Sequence, residues 1–270
     1  FGDYFVALNY YVVKEFGEQW YNKLDIIVTN SHITKQHTIE YYILKGMKQF
    51  IYGVCQPAGN RSYNSPFTNV SWYDKYYFEA MFGEFYYPDG TKPEWNAIDK
   101  LQRMFMKLMR EIRLLTPITF PVTTISLLHN GKEFLDKDYE DLCAEEWSKG
   151  GSFFCYMNDN PASLASCCRV LNEMTENTFS STTGMNGVMT GSCNVITLNL
   201  NRIVQDCFKN LILPKDYNKS EITSWWKDKY GKENIKHYLE NILERVYKYH
   251  IAYKTMLYDL EDKGMFAASN

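Results

Sequence analysis

Two adjacent cysteines, Cys167 and Cys168, stand directly before Arg169 in the run ASCCRV. Vicinal cysteines rarely bond to each other, because the ring strains the peptide between them beyond ordinary disulfide geometry. They serve instead as packing residues, metal ligands, redox thiols, or one reactive sulfur with a neighbour. A reactive thiol needs exposure in a cleft, often beside a cation or a helix end. Arg169 follows directly, but adjacent side chains of an extended chain point to opposite faces. Only one of the two cysteines can therefore face a given site. On composition alone both read as small buried hydrophobes.

Two further segments carry groups suited to a site. GNRSYNSPFTNVSWYD, from Gly59 to Asp74, is polar and turn-prone. Its hydroxyl and amide groups could hydrogen-bond a sugar or phosphate without strong charge, although composition alone favours an ordinary turn. SSTTGMNGVMTGSCNVITLNLNR, from Ser180 to Arg202, spaces Gly184, Gly187 and Gly191 in a loop that runs toward a strand pattern. Backbone amides in such a loop can cradle phosphates. It is neither GxGxxG nor a GK[ST] loop, so dinucleotide and P-loop binding are not indicated. His129, His237 and His250 are scattered, and no triad or HExxH stands out.

These segments must be held by regular elements. Apolar residues at Ile98, Leu101, Phe105, Leu108, Met109, Ile112 and Leu115 predict a helix, stopped by Thr116-Pro117. ITFPVTTISLL predicts a buried strand, with Pro121 at a bulge or at strand entry. NVITLNL, from Asn194 to Leu200, predicts another strand, followed by a helix over RIVQDCFKNLIL. Thr38 to Tyr52 predicts a helix, with a loop from Cys55 to Ser65. Lys232 to Lys263 predicts a long helix capped by Gly264. The run DKDYEDLCAEE predicts an acidic helix start with a solvated face and Cys143 inside. Strands alternating with helices imply an α/β architecture with a mainly parallel sheet or barrel.

The chain has 270 residues, 45% hydrophobic and 23% charged, with 22 Tyr, 16 Phe and 6 Trp. That is ample for a packed core. A net charge of −3 gives no basic field for nucleic acid. Seven cysteines cannot all pair within the chain, and no CxxC occurs, which argues against the usual zinc site. No signal peptide or membrane-length apolar run is present, so the reading is a reducing cytoplasm with free thiols and no membrane partner. The three Asn-x-Ser sequons then read as chance.

Taken in order, the segments resemble the anaerobic (class III) ribonucleotide reductases of the glycyl-radical superfamily. SPFTNVSWYD is similar to the Q-x-PFTN-[ILV] step of that family. GSFFCYMNDN…SCCRV is similar to its YF-x-N…CCR or MGCR segment, and TGSCNVITLNLNRI to its TGS-x-GVVT-[IL]-N-[LM]-PRI strand. The resemblance is close over roughly 45–203 and looser in the flanks. Asn64 stands where Gln is usual, Asn194 where Gly is, Asn201 where Pro is, and Cys193 where an aliphatic residue is.

The resemblance implies a ten-stranded α/β barrel with a finger loop at its centre and Cys168 at the loop's tip. That sulfur would carry a thiyl radical and take the 3′ hydrogen of a ribonucleoside triphosphate, with Cys167 a replaceable, accessory thiol. Ser65, Thr68, Asn69, Gly191, Ser192 and Asn194 would contact substrate. The family's ATP-cone, its R-V-[CST]-G-Y glycyl-radical segment and its four-cysteine zinc site are absent. Residues 1–270 therefore read as a single incomplete barrel domain, a split-gene product or a fragment. The radical would come from a missing segment or partner chain, charged by an S-adenosylmethionine iron–sulfur activase. Formate or a thiol system would be the reductant, and the barrel would form homodimers. The alternatives are another glycyl-radical enzyme of the pyruvate formate-lyase kind, and a non-catalytic nucleotide-binding remnant.

Overall fold

A computed structural model describes residues 4–28, 36–57, 65–66, 68–161, 163–165, 171–173, 194–210 and 229–265. The chain divides into two compact units, Phe1–Thr190 and Gly191–Asn270.

In the first unit, helix α1 (Tyr4–Phe16) is followed by a 3-10 turn at Trp20–Asn22 and a short antiparallel pair, β1 (Ile27–Val28) and β2 (His37–Thr38). Helix α2 (Ile39–Cys55) starts where Thr38 Oγ1 accepts from Tyr41 N at 3.2 Å, satisfying one of the orphan N–H groups of the first turn. It buries Ile39, Ile43, Met47 and Ile51, which recur every four residues on one face.

The parallel sheet consists of β3 (Asn69–Tyr73), β4 (Val122–Leu128) and β5 (Phe154–Asn158), in that order. Its crossovers are α3 (Lys75–Phe82) with α4 (Trp95–Leu115), then α5 (Lys137–Ser148). Asn69 is level with Val122, and Thr124 with Phe154. A third small sheet pairs β6 (Ser163–Ala165) antiparallel with β7 (Leu171–Glu173).

The long helix α4 has the expected face, burying Ile98, Leu101, Phe105, Met109 and Ile112. Leu115 does not join that face. It sits at the helix end and is 87% exposed. Phe105 is ringed by Tyr4, Phe5, Phe50 and Trp72, with centroids 5.6, 5.4, 6.4 and 6.2 Å away. This cluster fastens α1 and α2 to the sheet through α4.

Asp74 ties the ends of β3 and β4 to α3. Its Oδ1 accepts from Tyr77 N and its Oδ2 from Leu128 N, both at 2.7 Å. The carboxyl is fully buried, and burial raises its pKa against the pull of those N–H groups. Its ionisation therefore removes stability as pH rises from the ordinary aspartate value through the raised one. Asp74→Ala removes a helix cap and orphans the buried Leu128 N–H. We expect a loss of about 2–4 kcal/mol, read from urea unfolding at neutral pH.

The strand entry expected at Pro121 is present: the Phe120-Pro121 peptide is cis, and β4 starts at the next residue. Helix α5 also matches, with Asp136 as its cap and Cys143 buried. Its solvated face is interrupted by Glu146, which is buried and meets Arg110 Nε at 2.7 Å. The segment from Asn69 to Tyr73, read from sequence as part of a polar loop, is a buried strand instead. Val70 and Trp72 flank Ser71 in a two-residue period that the turn residues before it obscured.

The second unit holds α6 (Leu200–Asn210) and the 34-residue α7 (Lys229–Asp262). Gly264 closes α7 with φ +63°, as a left-handed cap requires. The strand expected at Asn194–Leu200 is not formed. Among the described residues no strand pairs with it, and Val195 and Ile196 are exposed. Alternating β-branched residues need a ladder partner to become a strand. Here Asn199 Oδ1 accepts from Arg202 N at 2.9 Å and starts a helix. Asn201 then lies in the first turn of α6, where a proline is equally well accommodated.

The ten-stranded barrel is not seen among the described residues. Their strands form sheets of three, two and two strands, none of them closed.

Candidate functional site

The Pro-Phe-Thr step leads directly into β3. Ser65 Oγ donates to the Cys55 carbonyl at 2.7 Å, which fastens the step to the end of α2. Cys55 Sγ in turn donates to the Phe120 carbonyl at 2.5 Å. Thr68 is buried, and its hydroxyl donates to the Pro66 carbonyl at 3.2 Å. Its own carbonyl accepts from Val122 N at 2.8 Å, which holds the step in register with β4. Asn69 Oδ1 accepts from Thr124 Oγ1 at 3.3 Å, and Thr124 Oγ1 lies 2.9 Å from Ser71 Oγ.

Side chains alternate across a strand, so the register places Asn69, Ser71, Thr124, Ser126, Tyr156 and Asn158 on one face of the sheet. These residues form a row of hydroxyl and amide groups without a formal charge. Ser71, Thr124, Ser126 and Asn158 are buried. The Ser126 hydroxyl has no hydrogen-bond partner among the described residues. Beside the row, burial pushes the Tyr77 phenol up to about 12, against the opposing pull of the Asn158 side chain. That phenol stays protonated and able to donate at neutral pH. The chemistry this face offers is hydrogen bonding to neutral polar groups, as a sugar presents, rather than proton transfer.

Two described thiols beside the sheet, Cys143 and Cys155, are poor nucleophiles. Burial raises Cys143 to about 12 and Cys155 to about 11, which keeps both protonated. Among the described residues no group of three or more His, Cys, Asp or Glu side chains could hold a metal ion. Among them, too, no helix is long and apolar enough to cross a membrane.

Of the residues picked out from sequence, the structure brings Ser65, Thr68 and Asn69 together at the entry of β3. Asn194 belongs to the second unit, where its Oδ1 accepts from Val195 N at 2.8 Å. Cys167, Cys168, Gly191 and Ser192 lie outside the described residues. Sequence reasoning missed Ser71, Thr124, Ser126 and Asn158. The signal available for two of them was the hydroxyl period in VTTISLL, where Thr124 and Ser126 share a face.

A parallel sheet with helical crossovers defines a mixed α/β protein, in which the polar row on the strands is largely buried. The sequence profile described as anaerobic ribonucleoside-triphosphate reductase matches residues 5–269, and the chain belongs to that family. Among solved structures, the anaerobic ribonucleotide reductase from Thermotoga maritima in complex with dATP and CTP is 29% identical. Its TM-score is 0.50, over 76% of this chain and 31% of that one. The reductase from the same organism with MES in the active site is 25% identical, with a TM-score of 0.51 over 97% and 37%. The chain thus spans about a third of the length of the solved structures it matches. No curated protein matches it.

Proposed function

We propose that the chain is the central part of the catalytic barrel of an anaerobic ribonucleoside-triphosphate reductase. The observation that carries this reading is the family match over nearly the whole chain, with the PFTN, SCCRV and TGS segments in the family's order. Ten strands closed into a barrel, with Cys168 on a central finger loop, are part of the proposal.

Cys168 holds the reacting sulfur. As a thiyl radical it takes the 3′ hydrogen of the ribose, becoming a thiol and leaving a carbon radical. The 2′ hydroxyl then leaves with a proton as water. Formate, oxidised to carbon dioxide, or a pair of thiols supplies two electrons. The ribose carbon finally recovers its hydrogen from the Cys168 thiol. A glycyl radical on another segment or a partner chain, generated by an S-adenosylmethionine iron–sulfur activase, is the source of the unpaired electron.

The chain's other residues position the substrate. Ser65, Thr68 and Asn69 line the entry to β3, and Gly191, Ser192 and Asn194 offer backbone and side-chain donors. The uncharged row from Ser71 to Asn158 suits ribose hydroxyls, because its hydroxyl and amide groups can both donate and accept hydrogen bonds. The Thermotoga maritima structure with dATP and CTP supports nucleotides as ligands. The reductase match favours this reading over pyruvate formate-lyase-like chemistry and over a non-catalytic remnant. A homodimer in the cytoplasm completes the proposal.

The test reconstitutes the chain with a radical-bearing partner chain and activase, and supplies CTP tritiated at the ribose 3′ position. Deoxycytidine triphosphate that keeps most of its 3′ tritium, with a fraction released to water by exchange at the Cys168 thiol, is the expected result. Absence of both from a partner preparation whose glycyl radical is verified by electron paramagnetic resonance would overturn it.

A further inference from the structure

The last turn of α4 carries a cation that no anion faces among the described residues. Arg113 Nη1 donates to Thr123 Oγ1 at 3.0 Å and to the Ser152 carbonyl, and Nη2 donates to the Pro121 carbonyl at 2.7 Å. All three acceptors are neutral. Arg103 and Arg110, on the same helix, are paired with Asp99 and Glu146. Among the described residues Arg113 forms no such pair. Burial pulls its proton affinity below the ordinary guanidinium value, and the Cys55 thiol is the one group that opposes this. That thiol is already engaged with the Phe120 carbonyl. Arg113 is half-buried, so its guanidinium keeps its proton and its charge retains part of its access to water.

The unused donors have a definite arrangement. Five N–H groups less three leaves one on Nε and one on Nη2. Those two nitrogens form the side-on fork that binds phosphate or carboxylate oxygens in pairs. The fork borders a groove of about 460 Å³ that Thr119 and Thr123 also line. Ile118, Val122 and Phe154 supply an apolar wall, and Phe154 is 39% exposed there. Val122 and Phe154 are the first residues of β4 and β5, so the groove lies at the entry edge of the sheet. Thr123 points to the side opposite Thr124, whereas Val122 and Phe154 lie on the Thr124 side, so the groove wraps round the strand starts from one face to the other.

We propose that this groove binds a phosphate group carried on an apolar body, with Arg113 holding the phosphate and Phe154 covering the body. A wall of this kind suits an aromatic phosphate ester better than free phosphate, because free phosphate leaves the apolar surface in water. A planar carboxylate could use the fork, but the groove is far larger than a small acid, and the Thr119 hydroxyl suits a third oxygen, the Thr123 hydroxyl being taken up by Arg113 and the Ser152 carbonyl. The site is independent of the reductase reading and would survive its failure.

The test is calorimetric titration of the full chain with phenyl phosphate and, separately, with inorganic phosphate, at constant ionic strength. Saturable binding of phenyl phosphate, at least about fivefold tighter than inorganic phosphate, is expected. Arg113→Gln should weaken it at least about tenfold, while Lys107→Gln, at an exposed position of the same helix, leaves it unchanged. Should Arg113→Gln not fold, Phe154→Ala decides the matter. It should bring phenyl phosphate down to the affinity of inorganic phosphate and leave the latter alone. The proposal falls if wild type shows no saturable binding, if folded Arg113→Gln binds as wild type does, or if Phe154→Ala changes neither ligand. Equal affinity for the two ligands overturns the apolar body.

Discussion

Cys168→Ala in the reconstituted enzyme is expected to reduce deoxynucleotide formation to background, with Cys167→Ala retaining it. On the proposed mechanism the sulfur has no substitute, because S–H and ribose C–H bonds are close enough in strength for hydrogen to pass both ways. An alanine methyl offers no such exchange, and a serine O–H bond is too strong to be remade, so Cys168→Ser should be equally silent. The resemblance of SCCRV to the family's segment singles out the cysteine next to Arg169, so the two substitutions are expected to differ. Product analysis with tritiated CTP measures the reaction, and nucleotide binding measured on the same preparations separates lost chemistry from lost folding. Deoxynucleotide formation by folded Cys168→Ala would remove the radical role from that residue. The reverse pattern, with Cys167→Ala silent, would transfer it to the neighbour.

Phe105→Ala should cost about 3–5 kcal/mol, a large share of what a domain has. The ring is fully buried and meets four other aromatic rings, from α1, α2 and β3. Its removal leaves a void between three elements that cannot all collapse toward it. Edge-on contacts such as those to Phe5 and Tyr4 are lost as well. Leu115→Ala on the same helix, at an exposed position, should stay within about 0.5 kcal/mol of wild type. Urea unfolding midpoints of the two variants give the comparison, and equal losses would show that the cluster is not the centre of the core.

The helices were the most legible part of the sequence. In α4 and α2 the apolar residues recur at helical spacing, and the caps Thr38, Asp136 and Gly264 stand where the chain turns. Strands were harder, because a strand depends on partners far away in sequence. VTTISLL was readable as a buried strand because its β-branched residues are nearly continuous. NVSWY was hidden behind a turn-prone approach, and NVITLNL has the strand composition but, among the described residues, no pairing partner. The site divided in the same way. Ser65, Thr68 and Asn69 could be chosen because a short local motif carries them. Ser71, Thr124, Ser126 and Asn158 become a single surface only through the register of three strands, which no local pattern states. Arg113 was invisible for a related reason: its lack of a counter-ion among the described residues is a fact about its surroundings.

The register of the parallel sheet has a kinetic consequence. Ser71 and Thr124 meet across 53 positions of chain, and Thr124 is level with Phe154, about thirty positions further on. No hydrogen bond between these strands can form until such a loop has closed, and loop closure is an entropic cost that precedes any gain. Helix α4, whose 21 residues make only local backbone bonds, can form before that and shorten the distance to be searched. The polar row on the strands is therefore expected to assemble after the helices, which narrow the search for it.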